Sequence, residues 1–208
     1  VIISFSLPAF LSGVLIWPVN WFGSALLANQ NDGYAQMGLF NAANQWRTAI
    51  LFIPNLLTGI LVPFLANLHG ARDHVRMGKV VWGNIALSTL LTAVLMGILA
   101  AGAPLVMRLY GQNFAVGAPV LSLLLISAIF GPLIYTILQA ITSAGHMWAG
   151  FWLTFLWALV MTGMTLVYVP RDSAFGLAYA TLVNQAFYAV ILLLYYRHLV
   201  PKMEAEHG

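Results

Sequence analysis

Cysteine is absent from this 208-residue chain, and charge is scarce: five acidic side chains, eight Lys or Arg, 6% charged residues in all. Without cysteine there is no disulfide framework, no thiolate nucleophile and no cysteine-based metal site. The shortage of charge excludes more. Soluble domains carry roughly 25% charged residues because a water-facing surface needs them. This chain is 62% hydrophobic with a mean hydropathy of +0.90, so its outer surface is expected to face lipid. The formal net charge of +3 is too small and too dispersed for a nucleic-acid footprint.

A hydrocarbon core ~30 Å thick is crossed by about 20 apolar residues of helix. Six such segments are expected, at residues 3–28, 36–68, 80–103, 117–143, 147–169 and 174–196, with 201–208 as a tail. A transmembrane barrel requires strands that alternate apolar and polar residues. Runs such as Leu121–Ile126 and Val190–Leu194 do not alternate, so the fold class is all-α and integral to the membrane. A span begins almost at Val1, with no basic stretch or cleavage site ahead of it, as expected of a chain that starts mid-protein rather than at a signal peptide.

Six alternating helices place Arg72, Arg76, Lys79, Arg197 and Lys202 on one side, and Arg108 and Arg171 on the other. Basic residues concentrate in short cytoplasmic loops. The loop before Lys79 and the C-terminal tail are therefore expected in the cytoplasm, and the turns near Asp32 and Asp172 outside. The histidines fall near helix ends or in loops without the spacing of a zinc helix, so no metal site and no cofactor is expected.

Polar residues recur at helical spacing inside the spans. Asn41, Asn44, Gln45 and Thr48 follow i, i+3, i+4, i+7, and Asn55 continues that face. Thr181, Asn184, Gln185 and Tyr188 repeat the pattern in the sixth span, and Asn84, Ser88 and Thr92 run along the third. Unsatisfied amides are costly in hydrocarbon, so these faces turn inward, either to bridge helices or to wall a hydrated cavity. The fourth span adds Tyr135 or Thr136, then Gln139, Thr142 and Ser143, and four helices with such faces favour a cavity. Pro8, Pro18, Pro54, Pro63 and Pro132 interrupt the spans and free backbone carbonyls, which suits a transporter that rocks between states. Small-xxx-small pairs such as Ser127 and Gly131 are read as helix packing, and the tryptophans as an interfacial belt.

Arg47 is the single charge well inside a span. It either faces the interior, suited to hold a phosphate through paired donors, or snorkels to the surface. Every Asp and Glu lies in a loop or the tail. A buried cationic substrate normally needs a carboxylate, so an anionic one is the simpler match.

Several stretches carry a family resemblance: SLPAFLSGVLIWPVNWFGSALLANQ, YAQMGLFNAANQW with FIPNLLTGILVPFLANL, APLVMRLYGQNFAVGAPVLSLLLISAIFG, TSAGHMWAGFW and SAFGLAYATLVNQ. Together they resemble the seventh to twelfth helices of the polysaccharide and O-antigen flippases (Wzx type) of the MOP exporter superfamily. The resemblance implies one lobe of a two-lobe, twelve-helix MATE-like transporter of the bacterial inner membrane, with both termini cytoplasmic. It also implies alternating-access export of an undecaprenyl-diphosphate-linked oligosaccharide for surface polysaccharide or O-antigen synthesis. The partners implied are that lipid-linked substrate, the N-terminal six-helix lobe, and membrane lipid. Arg47 is the position matching the cavity arginines of such flippases, with Asn41, Asn44, Gln45, Asn55, Asn184 and Gln185 as amides along the path. The alternatives are a cation-coupled drug or small-molecule antiporter of the same superfamily and a six-helix scaffold that transports nothing. An enzyme is least supported, since no acid/base pair, nucleophile triad or metal ligand set is present.

Overall fold

The structure is a computed structural model that describes residues 6–71 and 74–205. The first expected residues of span one, Arg72 and Asp73 of the basic loop, and the last three tail residues lie outside the described part. The order is α1 (Leu7–Ala28), α2 (Gly33–Gly70), α3 (His74–Ala101), α4 (Ala103–Arg108), a 3-10 turn (Gln112–Gly117), α5 (Ala118–Ala128), α6 (Gly131–Ser143) and α7 (Met147–Ala205).

Proline sets several helix starts. It occupies one of the first two positions of α1, α4, α5 and α6, where its missing N–H costs nothing and its fixed φ is already helical. Pro132 thus restarts the chain as α6 after a short turn at Ile129 and Phe130, inside the fourth expected span. Pro18, Pro54 and Pro63 lie within α1 and α2.

Among the described residues five apolar segments are long enough to cross a membrane, and the last, Met147–Leu199, is long enough to do so twice. It folds back on itself at Ser173, whose φ of 48° and ψ of −121° are not helical. The two arms, 147–172 and 174–205, lie antiparallel. Tyr168 and Tyr179 meet edge to face at 4.9 Å between ring centroids. Further along, the Thr154 and Tyr188 hydroxyls are 3.3 Å apart. Gly176 makes the tight reversal possible, since a Cβ there would collide with the Tyr168 carbonyl.

Helix α1 packs chiefly on α7, while α2 lies among α3, α5 and α6. Two apolar clusters result. One gathers Leu27, Leu51, Met107, Leu121, Leu125 and Leu177 toward the Ser173 end. The other gathers Leu65, Val81, Ile137, Ile141, Leu192 and Tyr196 toward the opposite end. Trp157 packs against both. Outward, α1 exposes Phe10, Trp17 and Trp21, and α3 exposes Leu87, Leu90, Val94 and Ile98. Apolar surface on this scale is untenable in water and is the surface of a multi-pass membrane protein.

Candidate substrate cavity

Between the two apolar clusters the polar faces converge. Arg47 of α2 is half-buried, and its Nε donates to Ser127 Oγ on α5 at 2.9 Å. Ser127 in turn donates to the Leu124 carbonyl at 2.7 Å. With Nε held this way, the two terminal amino groups of the guanidinium remain for the adjoining space. That space is a cavity of about 200 Å³, open to one side, bordered by Asn20 of α1, Arg47, Tyr135 of α6, and Thr154, Trp157, Gln185 and Tyr188 of α7. A second compartment of about 90 Å³ adjoins it, bordered by Asn44, Thr181, Asn184 and Met161. Asn20, Arg47, Trp157 and Gln185 border both. No Asp or Glu borders either compartment.

The seven residues singled out from sequence divide as follows. Arg47, Asn44, Asn184 and Gln185 come together around the smaller compartment. Asn41, Gln45 and Asn55 are exposed on α2 and border neither compartment. Gln45 accepts a hydrogen bond from the Tyr110 hydroxyl, 3.0 Å away, in the segment after α4. The polar stripes meet different surroundings. Asn84 of α3 donates to Thr136 of α6 at 2.8 Å and to Thr58 of α2 at 3.2 Å, all three buried, so that stripe ties three helices together. Asn44 of α2 and Thr181, Asn184, Gln185 and Tyr188 of the second arm of α7 instead border the cavity.

Asn20, Thr154 and Trp157 at the cavity, and Ser127 behind Arg47, are not legible as site residues from sequence. By its spacing to Gly131, Ser127 reads as a small packing residue, and only its distance to Arg47 in space reveals its other role. Trp157 reads, with the other tryptophans, as part of an interfacial belt. Its position three residues after Thr154, on the face that meets Tyr188, was the available signal.

Asn184 stands apart energetically. Its side chain is 1% exposed, and neither Nδ2 nor Oδ1 has a hydrogen-bond partner. The other orphaned buried side-chain atom among the described residues is Trp46 Nε1.

No family model matches the chain. Its fold is that of one half of a MATE transporter. It superimposes on MATE in the bent conformation with a TM-score of 0.88 at 14% identity, covering 96% of this chain and 45% of the other. It also superimposes on the outward-facing conformation of a multidrug resistance MATE family transporter of the MOP superfamily, with a TM-score of 0.86 at 13% identity over 96% and 46% of the two chains. The all-α, one-lobe architecture expected from the sequence is thus present.

In sequence, the chain is similar to the EPS I polysaccharide export inner membrane protein EpsE. It is 28% identical over 193 residues to the protein of Ralstonia nicotianae, covering 90% of this chain and 43% of the relative. The Ralstonia solanacearum protein of that name is 27% identical over the same length. The chain therefore spans less than half the length of the curated relatives it matches.

Proposed function

We propose that the chain is the C-terminal half of an inner-membrane exporter that moves an undecaprenyl-diphosphate-linked oligosaccharide by alternating access. The observation that carries this reading is the setting of Arg47. It is a permanent cation, held at Nε by Ser127, and it borders a cavity whose other polar groups are neutral amides and hydroxyls. In a low-dielectric site such a cation binds an anion strongly through paired, charge-assisted hydrogen bonds. A diphosphate suits it, and amides suit the hydroxyls of a sugar. The similarity to polysaccharide export proteins supports the same substrate class.

A second half would close the open side of the cavity, and the exposed amides Asn41, Gln45 and Asn55 of α2 would extend the polar path toward it. The cytoplasm receives the C-terminal tail. Cation-coupled drug antiport is the weaker reading, because no carboxylate borders the cavity to pair with a cationic substrate. The test is complementation. In the full-length protein, Arg47→Ala is expected to leave lipid-linked precursor unflipped, and normal surface polysaccharide in that variant would overturn the reading.

A further inference from the structure

We infer that the smaller compartment is a subsite for a hydroxyl-bearing ring, the sugar nearest the diphosphate, with Asn184 as the amide that recognises it and Trp157 as its apolar platform. This rests on the reading of Arg47 as the phosphate anchor.

Asn184, the one buried side-chain amide left unsatisfied among the described residues, carries the inference. Buried side chains elsewhere in the lobe, including Asn84, Ser127, Thr136 and Thr154, are hydrogen-bonded. Asn184 is equally buried but has both an unused donor and an unused acceptor beside a cavity. Leaving such groups unpaired is costly, so their natural partner is whatever fills the compartment. The chemistry of that partner is constrained. A phosphate has only acceptors and would leave Oδ1 facing an anion. A metal or ammonium ion would leave Nδ2 unpaired. Neighbouring hydroxyls, each both donor and acceptor, satisfy both atoms of one planar amide.

Trp157 narrows the choice further. It borders both compartments, with Tyr188 at 6.4 Å between ring centroids. The face of an indole is the negative side of its quadrupole, which disfavours phosphate and accepts the C–H edges of a sugar ring. Arg47 borders both compartments too, so a phosphate held there leaves the next group of the substrate to fall between Trp157 and Asn184. The compartment, at about 90 Å³, has room for more than one water-sized group.

The test compares farnesyl diphosphate with farnesyl-diphospho-N-acetylglucosamine, binding to the purified protein as its gene encodes it, by native mass spectrometry. The wild-type protein is expected to prefer the sugar-bearing probe by about tenfold, the worth of two neutral hydrogen bonds. Asn184→Leu, which keeps the branched shape and removes both polar atoms, is expected to bring the ratio of affinities near one. Arg47→Gln is expected to lower both affinities. If Asn184→Leu fails to fold by thermal melting, Asn184→Ala carries the same expectation. A tenfold preference that survives in the Asn184 variant makes the compartment a water pocket only and overturns the subsite alone. Failure of the wild-type protein to bind either probe overturns the reading of Arg47 and the subsite with it.

Discussion

Arg47 Nε and Ser127 Oγ are 2.9 Å apart, and the serine's own proton is committed to the Leu124 carbonyl. The hydroxyl oxygen therefore accepts from the guanidinium in a fixed direction. The arginine is aimed from α2 by a partner 80 residues away on α5, at the point where the apolar packing of the lobe gives way to its cavity. Ser127 acts as a positioning residue for the proposed anion site.

Ser127→Ala removes that acceptor. Hydrogen bonds to charged groups contribute about 1.5–3 kcal/mol, so affinity for a diphosphate probe is expected to fall roughly ten- to hundredfold. A purely structural serine would lower the melting temperature without changing affinity in the protein that remains folded. Titration of the Ser127→Ala variant below its melting temperature separates the two.

The Thr58, Asn84 and Thr136 knot makes a different prediction. It ties α2, α3 and α6 and borders neither compartment. Asn84→Ala is expected to destabilise the lobe by about 1 kcal/mol, since it removes the donor shared by two buried threonines and leaves their hydroxyls only each other, 3.3 Å apart. A double-mutant cycle with Thr136→Ala should give a coupling of about 0.6 kcal/mol, the usual size between membrane helices. A coupling of zero would mean that the contact holds nothing.

Ser173 holds a left-handed φ of 48° at the reversal of α7. A residue with a side chain in such a region costs about 1–3 kcal/mol, and glycine adopts it freely. Ser173→Gly is expected to raise the melting temperature, whereas Gly176→Ala, three residues on, is expected to lower it by forcing a Cβ against the Tyr168 carbonyl. Stabilisation by both or by neither would contradict the hairpin geometry.

Orientation can be read because the chain has no cysteine of its own. Asp172 is exposed at the α7 reversal, and Lys79 is exposed near the start of α3. With the tail in the cytoplasm, Asp172→Cys should react with a membrane-impermeant maleimide in intact spheroplasts, and Lys79→Cys only after permeabilisation. The reverse pattern would invert the proposed topology.

Much of this lobe was legible in the chain because lipid imposes a simple rule. Apolar runs of spanning length must be helices, and the reversal near Asp172 follows from the turn residues Pro170 and Asp172 between two such runs. Helical spacing also identified the polar faces, but not what each face meets. Asn84 and Asn44 sit on equally regular stripes, yet one bridges three helices and the other borders a cavity. Within one span, periodicity fixes a direction only relative to its own axis. Ser127 and Trp157 were missed for the same reason. Small residues and tryptophans have common structural uses in membranes, and only the crossing of α2, α5 and α7 gives these two another.

In the proposed function Arg47 anchors an anionic, sugar-bearing lipid on its way across the membrane. The most direct test is translocation of a diphosphate-linked lipid oligosaccharide in proteoliposomes holding the full-length protein, wild type against Arg47→Ala, at equal incorporation and equal melting temperature. Loss of translocation in the variant by tenfold or more, about the worth of one charge-assisted contact, is the predicted result. Undiminished translocation by Arg47→Ala would contradict it.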